Sequence, residues 1–346
     1  MPTRAAPSDS SSSTGNNTSS QKHGTLGRTR AGELTRHVTR GLLGDEESEE
    51  EVADVLKVVQ DWCYQSEVSC NRTCSGPDDW GVVSQHCSSR SQSPVNIVTR
   101  RALPDGRLTP LHLIGYQDTF HGRLSNNGHT VQLDLPSSIK IKGGNLARTY
   151  NAVQLHFHWG KHGGPGSEHT IDGERHPLEM HIVHIKEQYS SISQAVRDRT
   201  GVAVLGFFFQ ESSSPNKKFA PLISALKKIT RPSNKTTLEG VSLQMFIAPQ
   251  ANMTAYFRYD GSLTTPNCAE AVVWTLFENA IPLSRQQLTV FSQLEFSSGR
   301  PMVNTFRPVQ PLNGRQVYHS GGHVAGVSTA LLVLSLLLHT PPTLQD

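Results

Sequence analysis

The chain has 346 residues, of which 36% are hydrophobic, 18% charged and 7% aromatic, with 28 Gly and 20 Pro; this turn-rich globular composition excludes a coiled coil and a wholly disordered chain. A formal net charge of only +3 argues against a nucleic-acid binder working through a broad basic surface. Histidine is the outlier: seven of the 16 lie between His156 and His184, and clustered histidines point to metal or proton chemistry.

At roughly 150 residues per domain the length suggests two domains, but both ends differ from the middle. Residues 1 to 44 are rich in Ser, Thr, Asn and Arg and carry no apolar run able to offset chain entropy. The acidic run Asp45 to Glu51 follows, a solvated linker or the frayed start of a helical stretch from Val52 to Val59. Residues 1–58 therefore read as a disordered extension and acidic linker, 59–317 as one folded domain and 318–346 as a carboxyl-terminal signal. No segment near Met1 joins a basic start to the apolar core of about 7 to 15 residues that a secretory signal needs. The Arg- and Ser-rich beginning fits an organellar transit peptide in composition but lacks its amphipathic period.

Four of the five cysteines, Cys63, Cys70, Cys74 and Cys87, stand near the start of the domain, and Cys268 follows much later. No CxxC pairs with another, which speaks against a cysteine-type zinc module; disulfides in an exported protein would leave one cysteine over. Sequons at Asn71, Asn234 and Asn252 agree with export. Strands are predicted over Thr130 to Leu135, Ile139 to Lys142, Ala152 to Trp159, Leu178 to Ile185, Val202 to Phe209, Val241 to Ile247 and Ala271 to Leu276. Helical spacing marks Phe219 to Ile229, and Ser284 to Leu294 begins with a serine cap. At the far end, the small residues Ser320-Gly321-Gly322 precede an almost unbroken apolar stretch, Val324 to Leu338, the layout of a GPI-attachment signal. The stretch is shorter than the about 20 residues that span a bilayer, and no basic stop follows it. A short transmembrane anchor is the second reading; a core helix would show an amphipathic period.

In Gln154-Leu155-His156-Phe157-His158-Trp159 the alternation is strict, so a strand sends Gln154, His156 and His158 to one face. In Glu179-Met180-His181-Ile182-Val183-His184 the same parity groups His181 with Glu179 and Val183, and His184 with Met180 and Ile182. His184 is thus expected in the core, and His181 beside a carboxylate. Metal-bound imidazoles usually donate their second ring N–H to such a partner, a role open to Gln154 and Glu179. Three neutral imidazoles with an open fourth position form the catalytic zinc arrangement, although spacing alone also admits another metal or a non-catalytic site. For His112, His121, His162 and His176 a core or surface role is expected, and for His169 a structural hydrogen bond.

At these residues the chain resembles the α-class carbonic anhydrases. The motifs that carry the resemblance are Gln154 to Gly160, Gly166-Ser167-Glu168-His169, Glu179 to His184 and Ser262-Leu263-Thr264-Thr265-Pro266, with Gln92 to Ile97, Asn126-Asn127-Gly128-His129 and Arg307 to Leu312 in support. The fold implied is mainly β: one domain with a central twisted, mostly antiparallel ten-stranded sheet and short peripheral helices. The resemblance implies Zn2+ held by His156, His158 and His181, with Gln154 and Glu179 behind them, and reversible hydration of CO2 to bicarbonate and a proton. Carbonic anhydrases are themselves the standard case in which zinc lowers the pKa of water from about 15.7 to about 7.

By the same resemblance Thr264, tied to Glu168, orients the nucleophile, and Thr265 contacts bicarbonate. Val183, Val204, Leu263, Val272 and Trp274 form the apolar wall where CO2 rests; pattern alone would assign all five to the core. His129 takes the proton-shuttle position, with Asn127 and Gln132 on the polar side; taken alone, a histidine after Asn-Asn-Gly is a turn residue. Cysteines and tail resemble the membrane-anchored type IV and type XV members, implying disulfides Cys63–Cys74 and Cys87–Cys268 and leaving Cys70 over. A GPI-anchored monomer on the extracellular face, with no nucleic-acid partner, is expected. A catalytically silent binding domain and a zinc esterase are the rival functions, and the first should lack a zinc histidine.

Overall fold

The computed structural model describes residues 62–68 and 74–321. The expectations for the amino-terminal extension, the acidic linker, the Val52 to Val59 helix, Cys70, the Asn71 sequon and the apolar tail lie outside the described residues.

Fourteen strands are described: β1 (Asn96–Ile97), β2 (Leu103–Asp105), β3 (Leu111–Ile114), β4 (Phe120–Asn126), β5 (Val131–Asp134), β6 (Lys140–Gly143), β7 (Tyr150–Trp159), β8 (Thr170–Ile171), β9 (Leu178–Lys186), β10 (Val202–Ser212), β11 (Lys235–Val241), β12 (Tyr256–Gly261), β13 (Val272–Ser284) and β14 (Tyr318–Ser320). Ten of them run side by side in the order β11-β4-β5-β7-β9-β10-β13-β12-β14-β2, while β6 pairs with β7 and β3 with β6, so the sheet has twelve strands in all. Within it the pairs β10–β13 and β14–β2 are parallel and the others antiparallel. Helices are short and peripheral: α1 (Trp80–Val83), α2 (Ile192–Ala195), α3 (Ala220–Leu226) and α4 (Arg285–Phe291). None of the described helices is long and apolar enough to cross a membrane.

The central strands are buried on both faces. All nine residues of β9 are buried, so its sequence is not a simple alternation of apolar and polar, and its polar residues must find partners inside the protein. One apolar cluster, with Leu155, Phe157, Met180, Ile182 and Phe207, fills the side away from the histidines. A second, with Val183, Val204, Val272 and Trp274, lies on the histidine side.

Most predicted elements are found with ends shifted by a few residues. Ser284 caps α4 through a full capping box with Gln287, which explains why the helix starts there. The run Val241 to Ile247 is the exception. Strand β11 ends at Val241, and Leu243–Met245 is a turn of 3-10 helix. Leu243 and Phe246 are buried, so the run is apolar because it plugs the core, not because it is extended; burial alone does not discriminate the two. Strand β4 went unrecognised because Gly122 interrupts its pattern; a Cβ there would stand 2.6 Å from Leu133 Cδ1.

Candidate metal centre

Antiparallel pairing of β7 with β9 sets His156 opposite His181 and His158 opposite Glu179, while β5 brings Gln132 opposite His156. The three imidazoles meet over the sheet, with ring centroids 5.0 Å apart for His156–His158 and His156–His181 and 4.7 Å for His158–His181. One nitrogen from each lies within 4.8 Å of the others.

The second nitrogen of each ring is held. His156 Nδ1 donates to Gln154 Oε1 at 2.9 Å, His158 Nδ1 to the Thr305 carbonyl at 2.6 Å, and His181 Nε2 to Glu179 Oε1 at 2.7 Å. Each acceptor places the proton on the outer nitrogen, so the lone pairs of His156 Nε2, His158 Nε2 and His181 Nδ1 are left facing one another. His158 Nε2 is buried without a hydrogen-bond partner, an arrangement that wastes a polar atom unless a cation takes it. Burial lowers the pKa of all three rings, that of His158 to about 4, and for His156 the neighbouring rings add to it. They are therefore neutral, as metal ligands must be. The donor set of three imidazoles fits zinc.

Around the trio stands a buried polar frame. Burial would raise the Glu179 carboxyl, but His169 and His181 hold it well below the usual range. His169 donates to it from the backbone at 2.9 Å and from Nδ1 at 2.7 Å, and Nε2 of His169 meets the Tyr259 hydroxyl at 2.6 Å. The hydrogen bond expected of His169 is thus a double one. His184 bonds Tyr116 through Nε2 at 2.8 Å and lies fully buried on the other face, the core role that parity assigns it.

Glu168 reaches the trio because the chain folds back sharply after β7. Gly160 and Gly166 touch across that loop, where a Cβ on Gly166 would fall 1.7 Å from the Gly160 nitrogen. Glu168 Oε2 ends 3.3 Å from His158 Nε2, and Oε1 accepts from the Arg307 backbone N–H at 3.0 Å. Burial pushes its carboxyl up to about 7, against the pull of His181, the Thr264 side chain and that N–H. Thr264 is buried next to it and Thr265 is partly buried, with the Thr265 carbonyl tying Cys268 N at 2.8 Å.

Val183, Val204, Val272 and Trp274 are buried in one cluster against which Leu263 packs, and the Trp274 ring lies 4.8 Å from that of His181. His129 follows β4 in a turn capped by the Asn127 carboxamide, whose oxygen accepts from His129 N and Thr130 N. Its ring stacks on Trp62, with centroids 3.9 Å apart. Gln132 donates to Asp134 at 3.1 Å. Both disulfides, Cys63–Cys74 and Cys87–Cys268, are formed.

Two contributors escape local pattern. Thr305, which orients His158, lies 147 residues from it. The Arg307 side chain is buried and donates to Gln92, Ser93 and Cys87, so it fastens the segment that holds Glu168 to the start of the domain. The motif around Arg307 was visible; its target was not.

Residues 75–321 match the family model of the eukaryotic-type carbonic anhydrases. Carbonic anhydrase 4 of Mus musculus is 40% identical over 283 residues, covering 81% of this chain and 90% of that protein. Carbonic anhydrase 15 of Mus musculus is 36% identical over 292 residues, covering 80% and 87%, and carbonic anhydrase 12 of Homo sapiens 35% identical over 279 residues, covering 77% of each. With a matching trio of tautomer-locked imidazoles and an apolar wall beside it, the chain belongs to the eukaryotic-type carbonic anhydrase family.

Proposed function

We propose that the protein is a zinc enzyme that interconverts CO2 with bicarbonate and a proton at the extracellular membrane surface. The observation that carries this reading is the trio His156, His158 and His181, each with its outer nitrogen fixed by an acceptor. These residues would hold zinc, which supplies the Lewis acidity that lets water ionise near neutral pH, carbonic anhydrases being the type case. Glu168 and Thr264 orient the attacking oxygen by fixing the direction of its hydrogen bond, and Thr265 contacts the product. Val183, Val204, Leu263, Val272 and Trp274 hold CO2 without competing polar contacts. His129 passes the released proton to buffer, with Asn127 and Gln132 on the polar side of its route. Residues 59–317 form the catalytic domain, between the 1–58 extension and the 318–346 anchor signal, and the protein acts as a monomer.

His181→Ala is expected to remove zinc and CO2 hydration while circular dichroism still reports the sheet; full activity in a metal-free His181→Ala protein would sink the mechanism. Phosphatidylinositol-specific phospholipase is expected to release the protein from intact cells. Retention after treatment would favour a transmembrane tail.

A further inference from the structure

For CO2 hydration Glu168 must keep its carboxylate where Thr264 can use it, and the loop that carries Glu168 is held from two sides. Backbone bonds fasten one side: the N–H groups of Gly166 and Ser167 donate to the His176 carbonyl at 2.7 and 2.8 Å, and the His176 N–H donates to Ser167 Oγ at 3.0 Å. These bonds tie the loop to the turn that leads into β9. They do not set it against the segment Thr305 to Arg307, which gives its Thr305 carbonyl to His158 and its Arg307 N–H to Glu168.

The Arg175 side chain spans that gap. Its Nη1 donates to the Ser167 carbonyl and, at 3.2 Å, to the Glu168 carbonyl, while its Cζ stands 4.1 Å from the centroid of the Phe306 ring. One guanidinium thus touches both the residue that bears the carboxylate and the residue between the two backbone groups in use. Its planarity allows this, because the edge donates in the plane while the face stacks on an aromatic ring. Among the described residues Arg175 has no carboxylate within ion-pair distance, so no ion pair draws it off the loop. Arg175 and Phe306 are both half-buried.

We infer that Arg175 is a positioning residue for CO2 hydration, setting Glu168 against the Arg307 N–H and Thr264 by bracing its loop to Phe306. This rests on the hydration reading given above. The hydrogen bonds of Arg175 go to the Glu168 loop and not to the three imidazoles. Thr305 is tied to Trp159 without it: its N–H donates to the Trp159 carbonyl at 3.0 Å and its Oγ1 accepts from Trp159 N at 2.9 Å. Loss of the brace therefore disturbs Glu168 and spares the metal.

The test uses the full-length protein, with zinc for stopped-flow hydration at saturating buffer and without zinc for amide exchange. Arg175→Gln and Phe306→Leu are each expected to lower kcat/KM about tenfold. Because kcat also contains proton release through His129, it should fall less. In a Thr264→Ala background Arg175→Gln should add no further loss, since Glu168 then has no hydroxyl to direct. Independently of turnover, hydrogen exchange followed by NMR should be about tenfold faster at the Arg307 amide of Arg175→Gln and unchanged at the Trp159 amide. Zinc loss to a chelator should match the parent. Phe306→Leu keeps most of the apolar volume and carries the test if Arg175→Gln does not fold. A parent without zinc-dependent hydration would sink the hydration reading, and with it the catalytic role of Arg175, while faster Arg307 exchange would still establish the brace. A folded Arg175→Gln protein with the parent's kcat/KM or Arg307 exchange, an equal further loss in the Thr264→Ala background, or faster zinc loss would overturn the proposal.

Discussion

A histidine can give a metal only one ring nitrogen, and the other decides which one. Gln154, the Thr305 carbonyl and Glu179 settle that choice for His156, His158 and His181 before any ion arrives, so the donors need little reorganisation to bind it. Gln154 and Glu179 were legible because each sits two residues before its histidine on the same strand face. The Thr305 carbonyl was not, since every residue offers the same backbone oxygen to a ring that comes near it. His129 is a different case. Its ring lies on Trp62 in a turn, away from the trio's hydrogen bonds. His129→Ala is expected to slow CO2 turnover by about tenfold or more with zinc content unchanged, and small imidazole buffers should restore part of the rate. Stopped-flow hydration with and without such buffers checks this, and a variant as fast as the parent would remove His129 from the proton route.

Strands were recognisable where one face is apolar and the other carries histidines, as in β7, and less so where both faces are buried or a glycine interrupts. Pairing then adds what alternation cannot: β9 meets β7 in the register that puts His181 across from His156, and a slip of one residue would have offered Ile182 instead. The end of β9 is secured by a polar cluster with its own pH signature. Lys186 Nζ lies 2.6 Å from Asp198 Oδ2 and 2.7 Å from Thr200 Oγ1. Burial would raise the Asp198 carboxyl, yet the Lys186 ammonium, the Thr200 N–H and the Tyr189 hydroxyl draw it down from 3.8 to about 2. A carboxyl with a lowered folded-state pKa stabilises the fold fully above its unfolded value and loses that contribution as pH falls toward the folded one. Allowing for partial exposure, the cluster contributes about 1–2 kcal/mol at neutral pH, about half of it gone near pH 3. Urea unfolding of Asp198→Asn and the parent should therefore show a stability gap that narrows from neutral pH to about pH 3. A gap that stays constant or widens would contradict this account.

Across the whole domain, two disulfides close loops of very different length. Cys63 and Cys74 are 11 residues apart in sequence, and Cys87 and Cys268 are 181. In the chain-entropy model these loops are worth about 3 and about 5 kcal/mol respectively. Replacing Cys87 and Cys268 by Ser is expected to lower the denaturation midpoint more than replacing Cys63 and Cys74, and the reverse order would count against the loop-length explanation. Cys268 stands just after Thr264 and Thr265, and Cys87 is held by Arg307, so the longer loop is closed next to the site it supports. The histidine excess, the order of the motifs and the parity of His156, His158 and His181 were determined by the sequence alone, because a strand's alternation is a local property of its backbone. Which carbonyl orients His158 and that the Arg307 N–H meets Glu168 were decided only by the tertiary structure. These contacts join residues far apart in the chain through sheet order and loop path, and no local pattern of side chains encodes that distance.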